Sequence, residues 1–335
     1  MITAPHPGRR AAWWWARFAA TAATLSVLVW QLGTGPFLDG LRAVDGRALT
    51  AATGLAVLTT VCCAWRWTIV ARGLGAGLPL GTAVAAYYRS LFLNVTLPGG
   101  VVGDVHRGIS HGRDTRDIGR GLRAVAWERS AGQVVQVVLT VAVLLVVPSP
   151  VRGAMPLVAL ALIAAVVGVA LAARMRPAVG GSRWARVRRA AARDLHDGLL
   201  AGRAWAAVGL ASALVVAGHA ATFLIAARTA GATAPLSEML ALALLVLLAA
   251  ALPNVAGWGP REGVTAWAFA AAGLGASLGV ATAVVYAVMV LAASLPGAAV
   301  LLAGWVRRAP PAPWPEPPIP GGLAVLAHED RAPDA

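Results

Sequence analysis

Three groups of polar side chains stand out from an otherwise apolar chain. The first is Tyr87, Tyr88, Arg89, Ser90, Asn94 and Thr96, followed closely by Asp104, His106 and Arg107. On a helix, Ser90 and Asn94 lie four apart and share a face with Leu97. Asn94 then points, with Ser90, into a polar interior or at a partner hairpin. Arg89 is read either as a side chain snorkelling from an interfacial helix to the headgroups or as a phosphate contact. Asp104 and Arg107, three apart, suit a cap or an ion pair. No second Asp, Glu or His stands at a ligand spacing from Asp104 and His106, so no metal site is expected.

The second group is Glu128, Arg129, Gln133 and Gln136. Arg129, Gln133 and Gln136 are spaced four and three apart and form one stripe. Glu128 points elsewhere, so Glu128 and Arg129 are not a direct pair. Lipid cannot satisfy such a stripe, which must face protein or water. The third group is Asn254, Trp258, Arg261 and Glu262. Exposed backbone N–H groups at the start of a short helix favour anions, and Arg261 there suits a lipid phosphate. The alternative is a salt bridge from Arg261 to Glu262 or Glu128. His219, isolated in an apolar run, is expected to be a hydrogen-bonded structural residue. Nothing matches a nucleophile elbow, a P-loop, a zinc-ligand pair or a dinucleotide fingerprint. No catalytic residue and no cofactor is therefore expected, and any transport runs downhill or on a membrane potential or ion gradient.

The elements that carry these groups follow from composition. Of 335 residues, 59% are apolar and only 13% charged, and the mean hydropathy is +0.72. A soluble domain has about 25% charged residues, so a soluble enzyme, a disordered chain and a secreted disulfide scaffold are excluded. The two cysteines, Cys62 and Cys63, are adjacent and form neither a disulfide framework nor a metal spacing. All 28 basic residues are arginine, against 14 acidic, for a net charge of +14. In so apolar a chain this charge sets orientation in a membrane rather than binding to nucleic acid.

Apolar runs at 11–32, 48–70, 122–147, 154–173, 204–228 and 280–305 each approach the ~20 residues a bilayer needs. Two further runs are interrupted: 80–103 by Leu97-Pro98-Gly99-Gly100, with Gly103 after it, and 237–274 by Leu252 to Pro260, which contains Pro253, Gly257 and Gly259. Proline removes a donor and glycine weakens a helix, so each reads as two arms around an irregular turn. Such a turn survives at membrane depth only when covered by protein or lining a wet cavity.

Arginines cluster at 9–17, 66–72, 104–123, 174–203 and 307–308, whereas Arg42, Arg47, Arg152 and Arg228 fall in the opposite loops. By the positive-inside rule both termini are cytoplasmic, provided both broken runs return to the side they entered; the competing count makes one or both of them full spans. The expected fold is an all-α polytopic membrane protein with about six full spans and two re-entrant helical hairpins. Residues 1–10 form a cytoplasmic tail with an uncleaved anchor behind it. A first half, 11–147, contains the 80–103 hairpin, and a second, 154–305, contains the 237–274 hairpin. The Pro-rich stretch 309–335 is expected to be a disordered cytoplasmic tail. Both halves read span, span, hairpin, span, which suggests an inverted repeat. Leu97-Pro98 and Gly108 recur as Leu252-Pro253 and Gly263 at one offset, and Arg107 and Arg261 lie one position out of register.

The stretch from Ser90 to Arg107 resembles the N-x-x-LPGG-x-GGD-x-x-R signature of the lysylphosphatidylglycerol synthase transmembrane region, also called the flippase-like domain family. Leu252 to Gly263 resembles that family's LP-x-x-x-G-x-G-x-RE signature, and Glu128-Arg129 falls where the family tends to carry an acidic-Arg pair. The resemblance covers about 11–305. Val102 stands where the pattern has Gly, and His106 precedes the arginine. The resemblance implies an inner-membrane protein that moves lipids between leaflets, without the aminoacyltransferase that makes lysyl-phosphatidylglycerol.

The leading expectation is a translocator whose groove holds an anionic headgroup on Arg107, Arg261 and Arg129. Asn94, Asp104, Glu128, Gln133, Asn254 and Glu262 complete the binding set, and Pro98, Gly99, Gly100, Gly103, Pro253, Gly257 and Gly259 shape the hairpins. The alternatives are a membrane-embedded transferase acting on a lipid-linked substrate, using Asp104, His106 and Glu262, and a scaffold for envelope biosynthesis. The expected partners are membrane lipids, with a homodimer or an envelope-biosynthesis partner left open.

Overall fold

A computed structural model describes residues 7–97, 100–174, 183–250 and 259–306. The described residues form helices and turns, with no strand among them. In chain order the helices are α1 (Pro7–Leu32), α2 (Gly35–Ala43), α3 (Gly46–Gly73), α4 (Leu80–Thr96), α5 (Val102–Asp114), α6 (Ile118–Val146), α7 (Met155–Arg174), α8 (Arg183–Leu195), α9 (Ala204–Thr229), α10 (Leu236–Ala250), α11 (Pro260–Ala271) and α12 (Ala276–Val306). A 3₁₀ turn at Arg152–Ala154 precedes α7, and a π-helical turn at His196–Leu200 follows α8.

Four helices, α3, α6, α9 and α12, are long and apolar enough to cross a membrane. With a rise of 1.5 Å per residue, each exceeds the ~30 Å hydrocarbon layer. The 26-residue α1 and the 20-residue α7 occupy the other two expected apolar runs. Val134 and Val138 of α6, Leu160 and Ile163 of α7, Leu210 of α9 and Leu302 of α12 are all exposed. Together they coat the bundle with an apolar surface suited to lipid.

Local signals set the helix boundaries. Asp45 starts α3 by accepting the Ala48 N–H at 2.6 Å, and Asp117 starts α6 by accepting the Arg120 N–H at 2.8 Å, both as N-caps. Both interrupted runs fold as helix pairs: α4 packs against α5, and α10 against α11. The first arm of the first pair, 80–96, matches the expected 80–103 hairpin. Its second arm runs on to Asp114, however, where the sequence reading has a loop over 104–123. The polar stretch is helical because arginine is a good helix former and because Arg107, Gly108, His111 and Gly112 give it a buried face. Part of the Arg-rich 174–203 segment is likewise helical, as α8. The turn residues Pro98 and Gly99, and Pro253, Asn254 and Gly257 of the second break, lie outside the described residues, as does the Pro-rich tail.

The two halves repeat one another in detail. Helix α3 packs on α4, α6 and α12, and α9 on α10, α12 and α6, while α3 and α9 lie against each other. The α4–α12 contact has its counterpart in α10–α6, and α5–α6 in α11–α12. The caps repeat too. Helix α3 ends with Ala76 N–H bonded to the Ala71 carbonyl, and α9 with Ala232 N–H bonded to the Ala227 carbonyl. Helix α5 closes through Asp117 to Gly112, and α11 through Leu274 to Phe269. Each is the 6→1 bond of a Schellman-type ending. Pro79 and Pro235 stand before α4 and α10, and each carbonyl accepts the N–H four residues on.

The interior is not shared equally. The largest apolar cluster, with Phe223, Met239, Leu242, Phe269 and Met289, lies mainly among second-half helices, whereas most of the buried charge lies on α3, α5 and α6 of the first. Helix α12 crosses α4 so closely that a Cβ on Gly297 would sit 2.1 Å from the Tyr88 carbonyl oxygen. Gly297→Leu is therefore expected to lower stability by about 1–3 kcal/mol or more through overpacking, measured as the midpoint of thermal unfolding in detergent.

Candidate functional site

The buried charges gather around two carboxylates. Glu128, on α6, is fully buried. Its Oε1 accepts from Arg66 Nε of α3 at 2.9 Å and from the Tyr87 hydroxyl of α4 at 2.9 Å, while Arg66 Nη2 also bonds it. Its Oε2 accepts from Arg107 Nη2 of α5 at 3.0 Å. One carboxylate thus joins four helices. Arg66 Nη1 donates on to the Ser212 hydroxyl of α9 at 2.9 Å. The guanidinium fits because position 132 is glycine: a Cβ there would lie 2.6 Å from Arg66 Nη1.

Asp104 is the second centre. Its Oδ1 accepts from the Ser90 hydroxyl at 3.1 Å and from Arg107 Nη2 at 3.0 Å, and its Oδ2 from Asn94 Nδ2 at 2.9 Å and from Arg129 Nη1. Asn94 closes the hairpin from both ends of its amide, because its Oδ1 accepts the Gly103 backbone N–H at 2.8 Å. That N–H is one of the unpaired donors of the first turn of α5, so Asn94 caps α5 from across the turn. The fit requires glycine at 103, where a Cβ would lie 2.1 Å from the Ser90 carbonyl oxygen. Gly100, in the turn itself, takes the left-handed conformation at φ 61°. The expected Asp104–Arg107 pair is present, and Ser90 and Asn94 point into a polar interior as their spacing requires.

Arg107 is held on its faces as well as its edge. Its guanidinium carbon lies 4.0 Å from the centre of the Tyr87 ring and 4.5 Å from that of Trp67, within cation–π range.

A cavity of about 240 Å³ opens beside this network. Arg66, Asn94, Asp104 and Arg129 reach its wall from one side, Gln133 and Gln136 continue the α6 stripe along it, and Ser212 and His219 of α9 face it. The stripe read from spacing therefore faces protein, not lipid. His219 differs from expectation: its ring lines the cavity with no hydrogen-bond partner among the described residues. A smaller, more apolar cavity of about 100 Å³ adjoins, sharing Cys63, Tyr87, Leu91 and His219.

The second hairpin makes a separate pair. Arg261 Nε donates to Glu262 Oε1 at 2.9 Å, and Glu262 Oε2 accepts the Gly259 N–H at 2.7 Å, completing the N-terminal cap of α11. Arg261 stacks 5.2 Å from the Tyr286 ring centre. Of the sequence alternatives for Arg261, the structure contains the bond to Glu262. Neither residue lines the 240 Å³ cavity. Arg107, unlike Arg129, sits behind that cavity's wall.

Sequence reasoning missed Arg66 and Ser212. By sequence Arg66 reads as a charge at a helix end, yet it is buried and paired. An arginine seven residues inside an apolar helix needs an internal partner, and that was the available signal. Among the described residues no three His, Cys, Asp or Glu side chains cluster as metal ligands.

Apolar, exposed helix faces around a charged, hydrogen-bonded interior define a helical membrane protein. The chain matches the lysylphosphatidylglycerol synthase TM region family over residues 14–297, and it belongs to that family. No curated protein matches it.

Removing one member of a buried ion pair strands the other and costs about 3–5 kcal/mol. Glu128→Gln is expected to cost at least that, because two guanidiniums lose their shared anion. Urea or thermal unfolding measures it. Asn94→Ala is expected to cost about 1–3 kcal/mol by exposing the Gly103 donor and one Asp104 acceptor.

Proposed function

We propose that the chain translocates an anionic phospholipid, or a lipid-linked anionic headgroup, between the leaflets of the bacterial inner membrane. The observation that carries this reading is the polar cavity inside an apolar bundle. Moving a charged headgroup through hydrocarbon costs several kcal/mol or more. A wall bearing Arg129, Gln133, Gln136, Ser212 and Asn94 replaces the lost hydration while the acyl or prenyl chains stay in lipid. Charge supports an anion. Arg66, Arg107 and Arg129 surround only Asp104 and Glu128, which leaves the network with an excess positive charge. Arg129 is the arginine partly open to the cavity, with a side chain 37% exposed.

In this reading α1, α3, α6, α7, α9 and α12 cross the bilayer. The α4–α5 pair enters from the cytoplasmic side and returns, α10–α11 does the same from the opposite side, and both termini are cytoplasmic. Arg66 and Arg107 are buried and drop out of the orientation count. Arg113, Arg116, Arg120 and Arg123 still mark the cytoplasmic face. The repeated caps and packings support an inverted-repeat plan, in which broken helices meet near the midplane. No bond-making step belongs to the reading, and Arg107, which does not line the 240 Å³ cavity, acts there by holding the two carboxylates.

The test is headgroup exchange in liposomes carrying fluorescent phosphatidylglycerol. Arg129→Ala, and separately the pair Gln133→Ala and Gln136→Ala, are expected to slow exchange about tenfold or more, equivalent to ~1.4 kcal/mol of barrier, and the glutamine pair, which holds no ion pair, is expected to melt near the wild-type temperature. Wild-type exchange in both variants would remove the cavity from the pathway.

A further inference from the structure

A third cavity, of about 260 Å³, lies beyond Arg107 and shares no lining residue with the first, 240 Å³ one. The stack of Tyr87, Arg107 and Trp67 separates the two: Tyr87 faces the first, while Arg107 and Trp67 face the third. Three of the residues that line it carry four buried polar atoms with no hydrogen-bond partner among the described residues: Trp67 Nε1, Arg107 Nε, Arg107 Nη1 and His111 Nε2. The three residues are at most 5% exposed. Leaving such atoms unmatched costs about 1–3 kcal/mol each, so their concentration on one wall points to a ligand. Arg89 and Arg107 line the cavity against Asp114 alone, and the Ser110 and Thr115 side chains add hydroxyls.

The atom types narrow the chemistry. Arg107 and Trp67 only donate, which calls for an anion. His111 differs. Its backbone bond to Ala76 occupies the ring on the side away from Nε2, and burial holds the ring below its usual pKa. Neutral His111 therefore presents a lone pair at Nε2, which wants an O–H. Sulfate, an ionised carboxylate and a phosphodiester offer only acceptors at their anionic group. A hydrogen phosphate offers both: oxyanions for Arg107 and Trp67, and a P–OH for His111.

We infer that this cavity binds a phosphate group that still carries a proton: inorganic phosphate or a phosphate monoester, free or at the end of a lipid. This assignment does not rest on the translocation reading, since it concerns other atoms and is tested by binding alone.

The experiment uses the full chain in phosphatidylcholine nanodiscs. Inorganic phosphate, glycerol 3-phosphate and sulfate are titrated by calorimetry, and melting is compared in nanodiscs containing phosphatidic acid or phosphatidylglycerol. Phosphate or phosphatidic acid is expected to bind and raise the melting temperature, with sulfate and phosphatidylglycerol at least about tenfold weaker. Binding of the soluble phosphates alone assigns a free solute, and binding of phosphatidic acid alone assigns a lipid terminus. His111→Leu is expected to weaken binding at least about tenfold, the equivalent of one good hydrogen bond. Thr82→Trp, at the exposed mouth, is expected to do the same while leaving the ion-pair network untouched, so it decides the matter should His111→Leu fail to fold. No binding by any phosphate, equal binding of sulfate and phosphatidylglycerol, or full affinity in Thr82→Trp would overturn the assignment.

Discussion

The structure depends on one carboxylate that water cannot reach. Glu128 accepts from Arg66, Tyr87 and Arg107, so α3, α4, α5 and α6 must all be in place before its full set of partners is assembled. A charge buried without partners is so unfavourable that partly assembled arrangements are penalised more heavily than an apolar core would penalise them. Apolar packing against lipid discriminates little between helix partners. The ion network therefore supplies register to the first half, while the larger apolar cluster around Phe223 and Phe269 supplies bulk to the second.

The first hairpin applies the same logic at smaller scale. Asn94 bonds both the Gly103 N–H and Asp104, so one amide fixes where α5 begins and which way its acid points. Asp104 then passes that orientation to Arg129, the side chain that meets the cavity. The second hairpin solves its own ending internally, with Glu262 capping α11 and pairing with Arg261. The two halves thus share a scaffold but differ in their polar groups: the first supplies most of the polar cavity's wall, with α9 of the second closing it, and the second holds a closed pair packed on Tyr286.

Much of this was legible in the sequence. The spacing of Arg129, Gln133 and Gln136 placed them on one face, and lipid's inability to satisfy them turned that face inward. Ser90 and Asn94 were placed together by the helical repeat, and Asp104 with Arg107 by their separation. The Pro-Gly breaks marked both helix pairs. What escaped has a common cause: partners distant in sequence. Nothing local to Arg66 identifies Glu128, sixty-two residues on, and nothing local to Ser212 identifies Arg66. The helical course of 102–114 escaped because its polarity resembled a loop, and only packing against α4 and α6 gives it a buried face. His219 looked structural because a lone histidine has no readable partner, and the cavity it lines exists only after α3, α6 and α9 have assembled.

The aromatic sandwich around Arg107 has an electrostatic corollary. Tyr87 and Trp67 clamp a permanently ionised group in the partition between two polar chambers. A stationary positive charge at a constriction repels protons and metal cations, as arginines do in water-selective pores. Both chambers can be polar, therefore, without joining into a conduit that would discharge the ion gradients of the membrane in which the protein sits.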